Sequence, residues 1–158
     1  MTRQAHIDCR NLSKSFSQKG DRIVPVIREL SFSVFDRELL VVLGPGQSGK
    51  STLLRLIAGL EKPDAGSITV RGKEVTGPGS DRGLVFQSYM LLPWLTVLGN
   101  VEAGLRIKTG NRNLSREKAM SYLEMVGLDG FAGYYPHQLS GGMKQRVGIA
   151  RAYALEPE

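Results

Sequence analysis

The chain has 158 residues, 41% of them apolar and 23% charged, with 21 basic against 15 acidic side chains and a formal net charge of +6. This excludes a disordered or collagen-like chain, because apolar content is too high and the 19 glycines follow no three-residue period. One domain of roughly 100–200 residues is expected. Cys9, the sole cysteine, can close no internal disulfide.

The opening residues, MTRQAH, carry no apolar signal stretch, and runs such as LLVVL at 39 to 43 fall far short of the roughly 20 residues a bilayer demands. The expectation is an intracellular chain that does not span a membrane. From His6 to Val34 apolar and polar residues alternate, as in IVPVIRELSFSV, with turn residues SQKGD between two runs; this predicts antiparallel strands. ELLVVLG then reads as a strand buried on both faces and ending in Gly44. STLLRLIAGL predicts a helix with Leu53, Leu54, Ile57, Ala58 and Leu60 as its apolar side chains, closing near Gly59 before Pro63. SITVRGKEV reads as a hairpin turning at Arg71 and Gly72, and GLVFQ as another short strand.

After Gln87 the pattern becomes helical, with an insert between roughly Tyr89 and Gln138. VLGNVEAGLRI predicts one helix. Ser115 is the expected N-cap of a second, in which Ala119, Leu123 and Val126 share a face before Gly127 ends it. A last helix is expected from Ser140 to Gly142 through Ala154. The loose basic cluster Arg106, Lys108, Arg112, Arg116 and Lys118 reads as a solvated face rather than a nucleic-acid surface, despite a sequence pI of about 9.7.

Residues 44 to 51, GPGQSGKS, match G-x-x-x-x-G-K-S/T between a predicted strand and a predicted helix. Glycines let successive backbone N–H groups turn inward around phosphates, and the helix start presents its positive dipole end to them. Lys50 would reach the β- and γ-phosphates, and the Ser51 hydroxyl would join a Mg²⁺ shell made mostly of oxygens and water. LSGGMKQR at 139 to 146 supplies a second glycine-rich helix start, with Ser140 as the cap and Gly141 and Gly142 open to an approaching anion.

A phosphate loop, a strand-terminal Gln in VFQ, a helical insert and LSGG, in that order, resemble the nucleotide-binding domain of ATP-binding cassette (ABC) proteins. The resemblance covers essentially the whole chain. It implies an α/β fold: a P-loop NTPase core with an antiparallel β subdomain and a helical insert, incomplete toward its C-terminus. The divisions expected are 1–87 for the β subdomain and phosphate-loop core, 88–138 for the insert, and 139–158 for the signature and its helix. The resemblance assigns ATP to Gly44, Pro45, Gly46, Gln47, Ser48, Gly49, Lys50, Ser51 and Thr52, and Mg²⁺ to Ser51 and Gln87. Ser140, Gly141 and Gly142 would act in trans on ATP held by a second nucleotide-binding subunit in a head-to-tail dimer. Gln87 would sense Mg²⁺ and the attacking water, and Lys50 and Gln87 are the implied catalytic residues. Phe16, in LSKSF, matches the aromatic that stacks on adenine; a core strand residue is the alternative.

SDRGLVFQ, LLPWLTVLGNV and YPHQLSGGMKQRVGIARA are similar to ATPase subunits of bacterial nitrate, sulfonate and taurine importers. This implies a transmembrane permease as partner, a solute-binding protein acting indirectly, no direct nucleic-acid contact, and a cytoplasmic position on the inner face of the membrane. Leu91, Leu92, Pro93 and Trp94 would border the permease groove; for Trp94 a core position is the alternative. Four positions depart from the family pattern: Gln47 stands where Gly is usual, Gly46 where Ser is common, Arg37 at a turn position where Gly is common, and Met143 in place of Gln after LSGG, a change the named importer group shares. The family also needs, after the LSGG helix, an apolar strand ending in Asp, then a Glu and a later His. None of the six Asp ends a four-residue apolar run, and LEPE, 155 to 158, stands where that strand should begin. The expectation is a chain that is marginally stable or aggregation-prone and does not turn over ATP on its own. The rival functions are a nucleotide-binding module without turnover and a non-transport ABC ATPase acting on nucleic acid or ribosomes.

Overall fold

The computed structural model describes residues 4–18 and 22–157, in two compact units that divide after Gly79. Residues 1–3 of the opening MTRQAH, 19–21 of the SQKGD turn and Glu158 of LEPE lie outside the described residues.

In the first unit, β1 (Ala5–Gln18) and β2 (Arg22–Phe35) pair antiparallel, as the alternation predicts. β1 pairs on its other edge with β3 (Ala65–Val70), which turns through Arg71 and Gly72, both at positive φ, into the short β4 (Lys73–Glu74). The sheet order is β2-β1-β3-β4. The helix α1 (Lys50–Ile57) adds Leu53 and Leu56 to a core with Cys9, Leu12, Ile27 and Ile68. Leu56 is thus the core residue the sequence pattern passed over, while Leu54 is 50% exposed. Burial pushes the Cys9 thiol up to about 11, with the neighbouring Asp8 carboxylate adding to the rise.

Two predicted strands are not strands. LLVVL is irregular and exposed, with Leu39 and Leu43 each 87% accessible, and GLVFQ likewise forms no ladder. A strand exists only through hydrogen bonds to a neighbour, and among the described residues no segment pairs with either one. Apolar character alone was sufficient to suggest burial but cannot supply the partner.

The second unit is helical. It consists of α2 (Val97–Thr109), α3 (Arg112–Met125), single 3₁₀ turns at Asp129–Phe131 and Pro136–Gln138, and α4 (Gly141–Ala154). Val97, Val101 and Leu105 from α2, Ala119 and Leu123 from α3, and Val147, Ala150 and Ala154 from α4 form one core, closed by Leu128 and Leu139. The α3 helix begins earlier than expected. Asn111, not Ser115, is its N-cap and accepts from the Leu114 N–H; Ser115 lies buried in the first turn and donates back to the Asn111 carbonyl at 2.7 Å. In the basic cluster, Lys108 is bonded to the Leu155 carbonyl and Lys118 to the Glu156 carboxylate.

Candidate functional site: two glycine-rich helix starts

Each α-helix leaves its first N–H groups without an intrahelical partner. In α2, α3 and α4 a side chain supplies one: Thr96 accepts from Gly99, Asn111 from Leu114, and Ser140 from Met143. The α1 helix differs. Its cap is Gly49, which has no side chain to offer, so the amide groups at Lys50, Ser51 and Thr52 open its dipole end with no side-chain acceptor. Glycine is required there by two conditions: φ is +87°, and a Cβ would come within 2.9 Å of the Val26 side chain and 3.1 Å of its carbonyl oxygen.

Lys50 organises the loop before this helix. Its ammonium donates to the carbonyl of Pro45 at 2.7 Å, to that of Gly44 at 2.9 Å and to the Ser48 hydroxyl at 3.1 Å. Pro45, Gly46, Gln47 and Ser48 form a turn, in which the Ser48 N–H donates to the Pro45 carbonyl. Gln47 lies at φ +64°, and Arg37 at +61°. Both positions where the resemblance leads one to expect glycine therefore carry the left-handed conformation, at about 1–2 kcal/mol each for a residue with a Cβ. A cleft of about 250 Å³ beside the loop is lined by Gly44, Pro45, Ser48, Gly49 and Lys50 together with Ile27, Leu30, Val42, Leu43 and Leu53.

Phe16 projects from β1 and is 36% exposed, with the Lys14 ammonium 5.4 Å from its ring centroid. It is not a core residue. Lys14 also pairs with Asp64 at 3.0 Å; that bond, with a further one from the Ser15 N–H, holds the Asp64 carboxyl below its ordinary range.

Gln87 and the LSGG residues belong to the second unit. Gln87 is exposed in a bend, and Ser140, Gly141 and Gly142 are exposed at the start of α4. The segment after Gln87 reaches that start directly, since a Cβ on Gly141 would lie 3.0 Å from the Tyr89 hydroxyl. Met90, the next residue, takes φ +42°. Trp94 is 70% exposed, so it too is outside the core.

The residue that builds this loop is one that sequence reasoning passed over. Asn100, fully buried in α2, accepts from the Leu92 N–H at 2.7 Å and donates to the carbonyls of Leu92, Leu95 and Thr96 at 3.0 to 3.2 Å. Its amide supplies partners to the Leu92 N–H and the Leu95 carbonyl, and adds a second donor to the Leu92 and Thr96 carbonyls, which also accept from the backbone N–H groups of Leu95 and Asn100. An Asn inside an apolar helical pattern was the only available signal.

Residues 27–158 match the family described as ABC transporter. The chain belongs to that family. Relatives include an uncharacterized ABC transporter ATP-binding protein of Methanocaldococcus jannaschii, 51% identical over 94% of this chain and 55% of its own length. The nitrate import ATP-binding protein NrtD of Synechocystis is 46% identical over 97% of this chain and 57% of its own. The taurine import ATP-binding protein TauB of Pseudomonas aeruginosa is 46% identical over 93% and 56%. This ABC chain therefore spans about half the length of the curated relatives it matches. Among solved structures, a dimeric ATP-binding cassette in a post-hydrolysis state bound to ADP and Pi superposes with a TM-score of 0.87 at 34% identity, covering 96% of this chain and 70% of that one. The fold is the P-loop ABC ATPase fold, with its antiparallel β portion and helical portion. No helix among the described residues is long and apolar enough to cross a membrane.

Proposed function

We propose that this chain is the ATP-binding portion of the motor subunit of an ABC importer for small anions of the nitrate, sulfonate and taurine kind. The single observation that carries the nucleotide reading is the uncapped start of α1: of the four α-helices described, it alone lacks a side-chain cap, and it follows the Gly-rich loop. A triphosphate would serve as that cap, bound by the N–H groups of Gly49 to Thr52 and by Lys50 once its ammonium exchanges the loop carbonyls for phosphate oxygens. Phe16, on the open face of β1, is available to stack on the base.

Mg²⁺ fits the donors present only as a phosphate-bound ion. The Ser51 hydroxyl and the Gln87 amide oxygen are hard neutral donors, and no group of three or more His, Cys, Asp or Glu that could hold a metal occurs among the described residues. When bound, the ion would neutralise charge on the β- and γ-phosphates. Ser140, Gly141 and Gly142 would contact the γ-phosphate held by a second subunit, so the active species is a head-to-tail dimer. The permease would dock beside the insert near Trp94, placing the subunit on the cytoplasmic face of the membrane, and a solute-binding protein would act upstream. The relatives named for nitrate and taurine import support this solute class.

None of the six Asp ends a four-residue apolar run in the sequence, and the reading proposed for these 158 residues is ATP binding without turnover. Calorimetric titration with ATP and Mg²⁺ tests the reading. Saturable binding that is lost in Lys50→Ala, with no phosphate release above background, is the expected result. Equal heats for the two chains would sink the nucleotide assignment, and Mg²⁺-dependent turnover abolished by Lys50→Ala would sink the binding-only account.

A further inference from the structure

The Arg151 guanidinium, three turns along α4 from Gly141, donates through Nη1 to the Met90 carbonyl at 2.8 Å and through Nη2 to the Tyr89 carbonyl at 3.3 Å. Two adjacent carbonyls are thus held by one planar fork, a geometry that Arg provides and Lys cannot reproduce. The same two residues run along the helix surface. The Tyr89 hydroxyl lies at Gly141, and the Tyr89 carbonyl is 3.7 Å from where a Cβ of Gly148 would stand. Segment 89–90 is therefore tied to α4 near its last turn by the guanidinium, while the phenol lies over the first turn at Gly141. Met90 keeps its left-handed backbone within this grip. Burial lowers the pKa of Arg151, as expected of a cation held against carbonyls instead of water, and it stays charged at neutral pH.

We propose that Arg151 is a positioning residue that clamps the segment following Gln87 onto the LSGG helix, so that Gln87 and the signature glycines move as one body. Binding of a phosphate at Gly141 and Gly142 would then be felt at Gln87 through Tyr89, with no contact between Arg151 and nucleotide. The functional weight of the clamp rests on the ATPase reading above; the clamp itself can be tested without ATP, which keeps the two failures distinguishable.

The test is limited chymotrypsin digestion of the full 158-residue chain, with cleavage after Tyr89 and after Trp94 followed separately by mass spectrometry. Trp94 is the internal reference because Asn100, not Arg151, holds its loop. Arg151→Gln is expected to raise cleavage after Tyr89 by about tenfold relative to cleavage after Trp94, while Arg151→Lys, which can restore only one of the two bonds, gives an intermediate ratio. Gly141→Ala, which displaces the Tyr89 phenol while leaving Arg151 intact, is expected to raise the same ratio less. An unchanged ratio in Arg151→Gln overturns the proposal. So does an equal rise at both bonds, which would mean that Arg151 only stabilises the unit as a whole.

Discussion

The two units of this chain solve the same problem with different completeness. Three helices and two 3₁₀ turns of the second unit converge on one apolar core in which Val97, Ala119, Leu123, Leu128 and Val147 are fully inaccessible. In the first unit the sheet and α1 also bury a core, yet the apolar run 39–43 beside them stays between 42% and 87% exposed. Helices satisfy their backbones within themselves and need a neighbour only for one face, and antiparallel strands find a partner a turn away in sequence. A strand of a parallel sheet has neither advantage: both its edges and both its faces depend on segments distant in the chain. Self-sufficiency therefore follows contact range, not apolar content.

Substitutions in the two places should separate accordingly. Leu123→Ala, in the closed core, is expected to cost about 3 to 4 kcal/mol in urea-induced unfolding. Leu43→Ala, in the open run, should leave the midpoint within about 0.5 kcal/mol and reduce light scattering from associated chain. A loss at Leu43 as large as at Leu123 would show that the run is buried in solution and would dissolve the contrast.

Next in size is Asn100→Ala, which strands the Leu92 N–H and the Leu95 carbonyl, while the Leu92 and Thr96 carbonyls keep their backbone donors; about 2 kcal/mol is expected, with faster chymotryptic cleavage after Trp94 as the loop opens. Smaller again is Gln47→Gly. Removing the Cβ from a residue at φ +64° should stabilise the first unit by up to about 1 kcal/mol, read as a higher unfolding midpoint. Any drop there would mean that Gln47 makes a compensating contact.

The smallest effect is electrostatic. The Asp64 carboxyl is held below its ordinary value by the Lys14 bond and then by the Ser15 N–H. A depressed folded-state pKa means that the contribution is complete above the unfolded value of about 3.9 and disappears as pH falls through the folded one. Asp64→Asn should therefore lower the thermal midpoint slightly at pH 7, flatten its fall between about pH 5 and pH 2, and meet the parent chain at the acid end; an unchanged acid limb would remove the pair from the account.

What could be read from the sequence divides along the same line of contact range. The 67–75 hairpin, the α1 start and the Ser140 cap are each decided by a few adjacent residues, and each was legible. LLVVL and GLVFQ were misread because a strand's identity resides in its neighbours. The choice of Asn111 over Ser115 turned on which of two competent caps reaches an N–H three residues on; Ser115 lies inside the first turn, its hydroxyl turned to the Asn111 carbonyl at 2.7 Å and to the Thr109 hydroxyl at 2.8 Å. In the site, the phosphate-loop pattern located the uncapped helix, and LSGG located α4. Asn100 and Arg151 were invisible because their partners are backbone carbonyls, which every residue carries and no pattern marks.

Cys9 offers a last consequence. It is 1% exposed within the β1, β2, β3 sheet, and burial pushes its thiol up to about 11, so the reactive thiolate is scarce at pH 7. Alkylating reagents should thus ignore the chain until this sheet parts. Because no second thiol competes, the rate at which iodoacetamide consumes protein is a clock for that parting, and whatever steadies the sheet, nucleotide included, should slow it.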